Sequence, residues 1–194
     1  MYSDVMSDAI FSSFVFSAKI DADLDKVVAD CYELMESDEG IHASNGPQTY
    51  HSTRVEGDEG LPDNELGKAL RGCLQFTKNF IEDQSLEMDP YYCWWLNASK
   101  FGGYNSPHMH GKTDLVGIFY PRIPSDVTSD LVLTRNDGFS YSPLILKTGG
   151  LNFNISPEPG RFYLISGHLW HHVEASLSKE DRLSISMNLY VRGR

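Results

Sequence analysis

The chain has 194 residues, of which 41% are hydrophobic, and its 16 Lys and Arg against 27 Asp and Glu give a formal net charge of −11. That length predicts one domain with a core large enough to need neither disulfides nor a structural metal. The acidic balance, with no basic run to offset it, argues against nucleic acid or an anionic membrane as a partner.

In chain order, the aromatic and β-branched stretch FVFSAKI (Phe14 to Ile20) predicts a strand. Asp21 or Asp23 suits a helix N-cap. Leu24, Val27, Val28, Cys31, Leu34 and Met35 follow at helical spacing. Ser37-Asp38-Glu39-Gly40 ends that helix, and residues 41–60, rich in Gly, Ser, Asn and charge, read as a loop, with His42 to Gly60 a candidate lid. Leu61-Pro62-Asp63 opens a second helix, with Leu66, Leu70, Leu74 and Phe80-Ile81 on its buried stripe.

After Asp89-Pro90 the pattern changes to short β-rich runs: YYCWWLNA, LVGIFYP, DLVLT, GLNFNI, GRFYLIS and RLSISMNLYV. Their regular spacing predicts a mainly β sandwich or barrel with the two helices over one sheet. The whole chain, 1–194, reads as one domain, with helical support to about residue 88 and a β core from about residue 89. Cys31, Cys73 and Cys93 form no CxxC pair and suit reduced thiols in a cytoplasm-like compartment. The acidic opening MYSDVMSDAIFSS has no signal-peptide pattern, and no apolar run is long enough to span a bilayer.

The last strand is the most legible. Leu183, Ile185, Met187 and Leu189 alternate with Arg182, Ser184, Ser186 and Asn188. In a small open barrel the polar face lines a cavity while the apolar face packs outward under helices. Arg182 and Ser184 would then form an anion site, since a guanidinium binds a carboxylate through two parallel hydrogen bonds.

The histidines supply a metal grip. His108 and His110, in Pro107-His108-Met109-His110, would share one face of a strand. An HxH pair alone is weak, because two surface histidines on a loop give the same pattern. A third ligand lies among His168, His171 and His172, just after the strand GRFYLIS. Trp94, Trp95, Tyr91 and Tyr92 read as core, and Cys93 beside them as buried rather than nucleophilic. No phosphate-binding glycine loop and no G-x-S-x-G elbow is present.

Together these blocks resemble the Fe(II)- and 2-oxoglutarate-dependent oxygenases, and within them a small group from bacteria and phages. The resemblance runs through SNGPQTYHS (Ser44 to Ser52), WWLNASKFGGYNSPHMH (Trp94 to His110), EPGRFYLISGHLWHHV and DRLSISMN. It implies a double-stranded β-helix, a jelly-roll or cupin-like barrel with the metal inside. It implies Fe(II) on His108 and His171, with Arg182 and Ser184 holding the far carboxylate of 2-oxoglutarate and Asn97 as a further contact. The wider superfamily places a carboxylate two residues after the first histidine. Here that place holds His110, which becomes the third ligand; water, Asp114 or Glu174 are the alternatives.

The activity implied is a dioxygenase that hydroxylates a small molecule or a protein side chain while 2-oxoglutarate yields succinate and CO2. Two rivals stand beside it. One is a three-histidine zinc or iron enzyme of the cupin type that does not use 2-oxoglutarate. The other is a non-catalytic barrel serving phage structure or assembly.

Overall fold

The computed structural model describes residues 14–37, 41–42, 48–52, 55–126, 129–134 and 152–192. Its strands and helices are, in order, β1 (Val15–Lys19), α1 (Leu24–Ser37), β2 (Ile41–His42), β3 (Gln48–His51), β4 (Val55–Glu56), α2 (Glu65–Asp83), β5 (Glu87–Met88), β6 (Tyr91–Ser99) and β7 (Asn105–His108). They continue with β8 (Leu115–Arg122), β9 (Leu131–Thr134), β10 (Asn152–Ile155), β11 (Arg161–Ser166), β12 (Trp170–Val173), β13 (Arg182–Leu189) and β14 (Val191–Arg192).

Both helices begin where their caps dictate. Asp23, rather than Asp21, caps α1: its carboxylate accepts from the Lys26 backbone N–H at 3.3 Å. Asn64 caps α2, accepting from Gly67 N–H at 3.1 Å, a contact that contributes about 1 kcal/mol. A second free donor of that first turn, Leu66 N–H, goes to the Asp30 carboxylate of α1 at 2.9 Å, so one helix helps to start the other.

The strands form a large sheet, β1-β11-β8-β13-β6-β3-β2 with β4 also on β6, and a four-stranded sheet, β10-β9-β12-β7. Strands covered on both faces must carry two sets of apolar or satisfied side chains, one per face. β13 does so: Leu183, Ile185, Met187 and Leu189 are fully buried against α1 and α2, among Val27, Cys31, Leu66, Leu70 and Cys73. Each such aliphatic side chain contributes roughly 1.5–3 kcal/mol. β8 and β11 split the same way. Phe119, Phe162 and Leu164 go to the helix side, and Val116, Ile118, Tyr163 and Ile165 face the small sheet. Leu131, Leu133, Ile155 and Val173 of the small sheet close this second core. The result is the expected pair of facing sheets with helices over one of them.

Three departures are local. Within residues 41–60, read as a loop, short strands β2, β3 and β4 form, and β3 and β4 pair with β6. A strand already in place supplies the partner that local composition could not announce. The histidine pair, expected to share one face of a strand, is split: β7 ends at His108 and leaves His110 outside it, and β7 pairs with the four-residue β12. The region before residue 89 is also more than helical support, because β1 and β3 continue the large sheet beyond β11 and β6.

Candidate metal centre

His108 and His171 are register partners across β7 and β12, with ring centroids 4.3 Å apart. His110 lies two residues past the end of β7. It is pinned by backbone bonds: His110 N–H to Gly167 O at 2.9 Å, and Thr113 N–H to His110 O at 2.8 Å. Gly167 must be glycine here, since a Cβ would sit 1.9 Å from the Thr113 carbonyl oxygen. One ring nitrogen from each of His108, His110 and His171 then lies within 4.8 Å of the others.

The hydrogen bonds select the nitrogen. His108 Nδ1 is 2.7 Å from the Ser106 carbonyl oxygen, His171 Nδ1 is 2.9 Å from the Leu169 carbonyl oxygen, and His110 Nδ1 is 2.7 Å from Asn188 Oδ1. All three partners are acceptors, so each Nδ1 carries the proton and each Nε2 keeps its lone pair. Burial favours the neutral forms of His171 and His110. It pushes the His171 pKa down to about 4, the Leu169 carbonyl opposing this and the neighbouring histidines adding to it. His110 is lowered by burial too, against the pull of its Asn188 bond. Three neutral, pre-oriented imidazoles fit a divalent transition metal.

The other candidates fall elsewhere. His172 is adjacent to His171 and therefore on the opposite face of β12, and His168 is exposed. Asp114 accepts from Val191 N–H at 2.9 Å, and Glu174 from Asp130 N–H at 3.4 Å. Among the described residues the three histidines are the one group arranged to hold a metal.

Among the described residues the pocket around them is walled by Trp95, Asn97, Tyr120, Ser184 and Ser186, with no carboxylate in its lining. Asn97 and Ser184 are register partners on β6 and β13. Arg182, on the same face as Ser184, is 2% exposed and sits with its guanidinium carbon 5.9 Å from the centre of the Tyr120 ring. Its Nη1 donates to Ser129 O at 3.1 Å, and its Nε has no hydrogen-bond partner. Among the described residues no ion pair includes it. A buried cation left this way is costly unless an anion completes it, which fits a carboxylate ligand. A wider groove of about 430 Å³ lies between α1 and the start of α2, but its Lys26, Lys68 and Arg71 are matched by Asp30, Asp63 and Glu65.

Sequence reasoning missed Asn188 and Tyr120 as parts of the site and placed Trp95 in the core. Trp95 instead stacks on His110, with centroids 5.6 Å apart and planes 16° apart. The signal for Asn188 was present: it ends the polar face that begins at Arg182.

Residues 93–188 match the family described as "Putative 2OG-Fe(II) oxygenase". No curated protein matches the sequence. Among solved structures, a prolyl-4-hydroxylase from Pseudomonas putida aligns with TM-score 0.63 at 14% identity, over 93% of this chain and 92% of that one. A viral collagen prolyl hydroxylase from Paramecium Bursaria Chlorella virus-1, solved with 2OG, aligns with TM-score 0.57 at 10% identity over 93% and 96%. A Trichoplax adhaerens prolyl hydroxylase, in complex with a hypoxia inducible factor peptide, aligns with TM-score 0.59 at 12% identity over 91% and 83%. At these identities the likeness establishes the fold, a double-stranded β-helix. Through residues 93–188 the chain belongs to the 2OG-Fe(II) oxygenase family, oxidoreductases that work with Fe(II) and 2-oxoglutarate.

Proposed function

We propose that this protein is a 2-oxoglutarate-dependent hydroxylase in which His108, His110 and His171 hold Fe(II) through Nε2, and Arg182, Ser184 and Asn97 hold 2-oxoglutarate. The observation that carries this reading is a paired one. Three imidazoles have their Nδ1 atoms committed to acceptors, and a buried guanidinium on the same side of β13 lacks a partner at Nε.

When bound, the metal and co-substrate supply the oxidising chemistry, with 2-oxoglutarate giving succinate and CO2. The protein's residues orient and enclose. The Ser106 and Leu169 carbonyls fix two ligand rings. Arg182 anchors the far carboxylate in a site where water is excluded, so each charge-assisted bond is strong. Val116, Ile118, Leu131 and Val173 keep the chamber apolar between these points.

The substrate is a small molecule or a protein side chain. The net charge of −11 weighs against nucleic acid. The free thiols of Cys31, Cys73 and Cys93 suit a reducing compartment such as the cytoplasm. No helix among the described residues is long and apolar enough to cross a membrane.

The test is spectroscopic. Fe(II) and then 2-oxoglutarate, added without oxygen, should give a visible metal-to-ligand charge-transfer band that is lost in His171→Ala and in Arg182→Ala at equal ligand. A native protein that gives no band at saturating ligand would sink the reading. The acid-free histidine set also suits zinc hydrolysis or a cupin-type oxidation. That alternative requires substrate turnover with 2-oxoglutarate withheld.

A further inference from the structure

The three candidate ligand rings are not held alike. His108 and His171 donate to the carbonyl oxygens of Ser106 and Leu169, each two residues before the ring it holds. Main-chain acceptors come with the strand and no substitution removes them. His110 alone among the three depends on a side chain, the amide oxygen of Asn188 at 2.7 Å, 78 residues away in sequence. Asn188 belongs to β13, the strand of Arg182, Ser184 and Ser186, and it is the register partner of Cys93 on β6. A primary amide can donate through its nitrogen while accepting through its oxygen, and here Oδ1 is the atom presented to His110.

We propose that Asn188 is a positioning residue for the metal: it holds His110 in the Nδ1–H tautomer, so that the Nε2 lone pair joins those of His108 and His171. Asn188 can play this part only if those histidines hold the metal, as proposed above. The Trp95 ring, stacked on His110 at an interplanar angle of 16°, fixes the plane of the imidazole, but a stacked ring does not choose between tautomers. That choice needs a directed acceptor at Nδ1, and Asn188 supplies it. With no acid among the described residues of the pocket lining, the neutral amide also leaves the charge of the bound ion to be balanced by the co-substrate.

The test uses the full chain, Co(II) as an air-stable probe, and nitrogen NMR of the histidine rings. In Asn188→Leu, Co(II) affinity should fall about 10- to 100-fold, and the His110 Nδ1–H signature of the metal-free protein should give way to a mixture of tautomers. Asn188→Asp keeps an acceptor, so it should bind Co(II) at least as tightly as the native chain and retain that signature. Native affinity in Asn188→Leu, alongside lost affinity in His110→Ala, would overturn the role of Asn188 while leaving the three-histidine site intact. Failure of the native protein to bind Co(II) would remove the metal site and the inference together. Should Asn188→Leu not fold, Asn188→Asp still decides, because binding more than tenfold weaker than native contradicts the proposal.

Discussion

Arg182 and Ser99 face each other across β13 and β6, and each keeps a buried polar atom, Nε and Oγ, without a hydrogen-bond partner. Ser99 is 1% exposed. Two such atoms would together cost a few kcal/mol if they never found partners. Ser184, on the same face, and Tyr120, under the guanidinium, line the pocket, so an acceptor-rich ligand reaching past them would complete Arg182 Nε.

Removing the guanidinium therefore separates binding from stability. Arg182→Met keeps the apolar stem and removes an incompletely paired buried charge, which is often neutral or stabilising. It should unfold at a temperature equal to or above the native chain, measured without ligand. Its dissociation constant for 2-oxoglutarate should rise about 100-fold, the loss of roughly 3 kcal/mol of charge-assisted bonding. A variant that loses stability but binds 2-oxoglutarate normally would make Arg182 a structural cation.

Metal and co-substrate should bind cooperatively. Among the described residues the pocket lining contributes no carboxylate, so a divalent ion on three imidazoles meets no offsetting charge from them. A dianion chelated beside it supplies that charge. Titration of Co(II) with and without saturating 2-oxoglutarate should show at least a fivefold tightening, and the reciprocal titration the same factor. Equal affinities in the two titrations would show that some acid compensates the ion after all.

Acid should destabilise the metal-free protein through His171. Its pKa is lowered from 6.5 to about 4 in the folded state, chiefly by burial. Between those values the unfolded chain binds a proton that the folded chain refuses, so stability falls as pH drops through that window. The effect is on the order of 3 kcal/mol once pH is below the folded value. The native chain should lose stability more steeply than His171→Asn between pH 6.5 and 4, read from chemical denaturation at each pH. Parallel curves would mean that His171 titrates normally.

Gly167→Ala should damage the site more than the fold. The new methyl would lie 1.9 Å from the Thr113 carbonyl oxygen, and relief requires the turn carrying His110 to move. Overpacking of this kind costs about 1–3 kcal/mol, whereas Co(II) affinity should drop by more than tenfold as His110 leaves its place. Ile185→Ala is the contrasting case. It opens a cavity under the helices and should cost about 2–5 kcal/mol with metal affinity unchanged in the folded fraction.

Much of this molecule could be read from its sequence. The alternation Leu183, Ile185, Met187, Leu189 against Arg182, Ser184, Ser186, Asn188 fixed which face of β13 met helices and which met the pocket, because a strand's side chains alternate by geometry alone. The helical periodicities of α1 and α2 and the strand runs from β6 onward were legible for the same reason: a repeating pattern survives without knowledge of partners. The resemblance around the histidine blocks then named a family. β2, β3, β4 and β12 were not legible, since strands of two to four residues carry no period and exist because a neighbour's hydrogen-bonding edge is there.

The resemblance pointed to His171 among His168, His171 and His172, but where each ring lies, and which acceptor meets His110, were tertiary matters. Adjacent residues of a strand look to opposite sides, and only the placing of β12 against β7 decided that His171 looks inward. Asn188 lies 78 residues from His110 along the chain and 2.7 Å from it in the fold. Sequence alone determined the kinds of groups available and their faces. Tertiary packing decided which of them meet, because the pairing of strands far apart in the chain sets those distances.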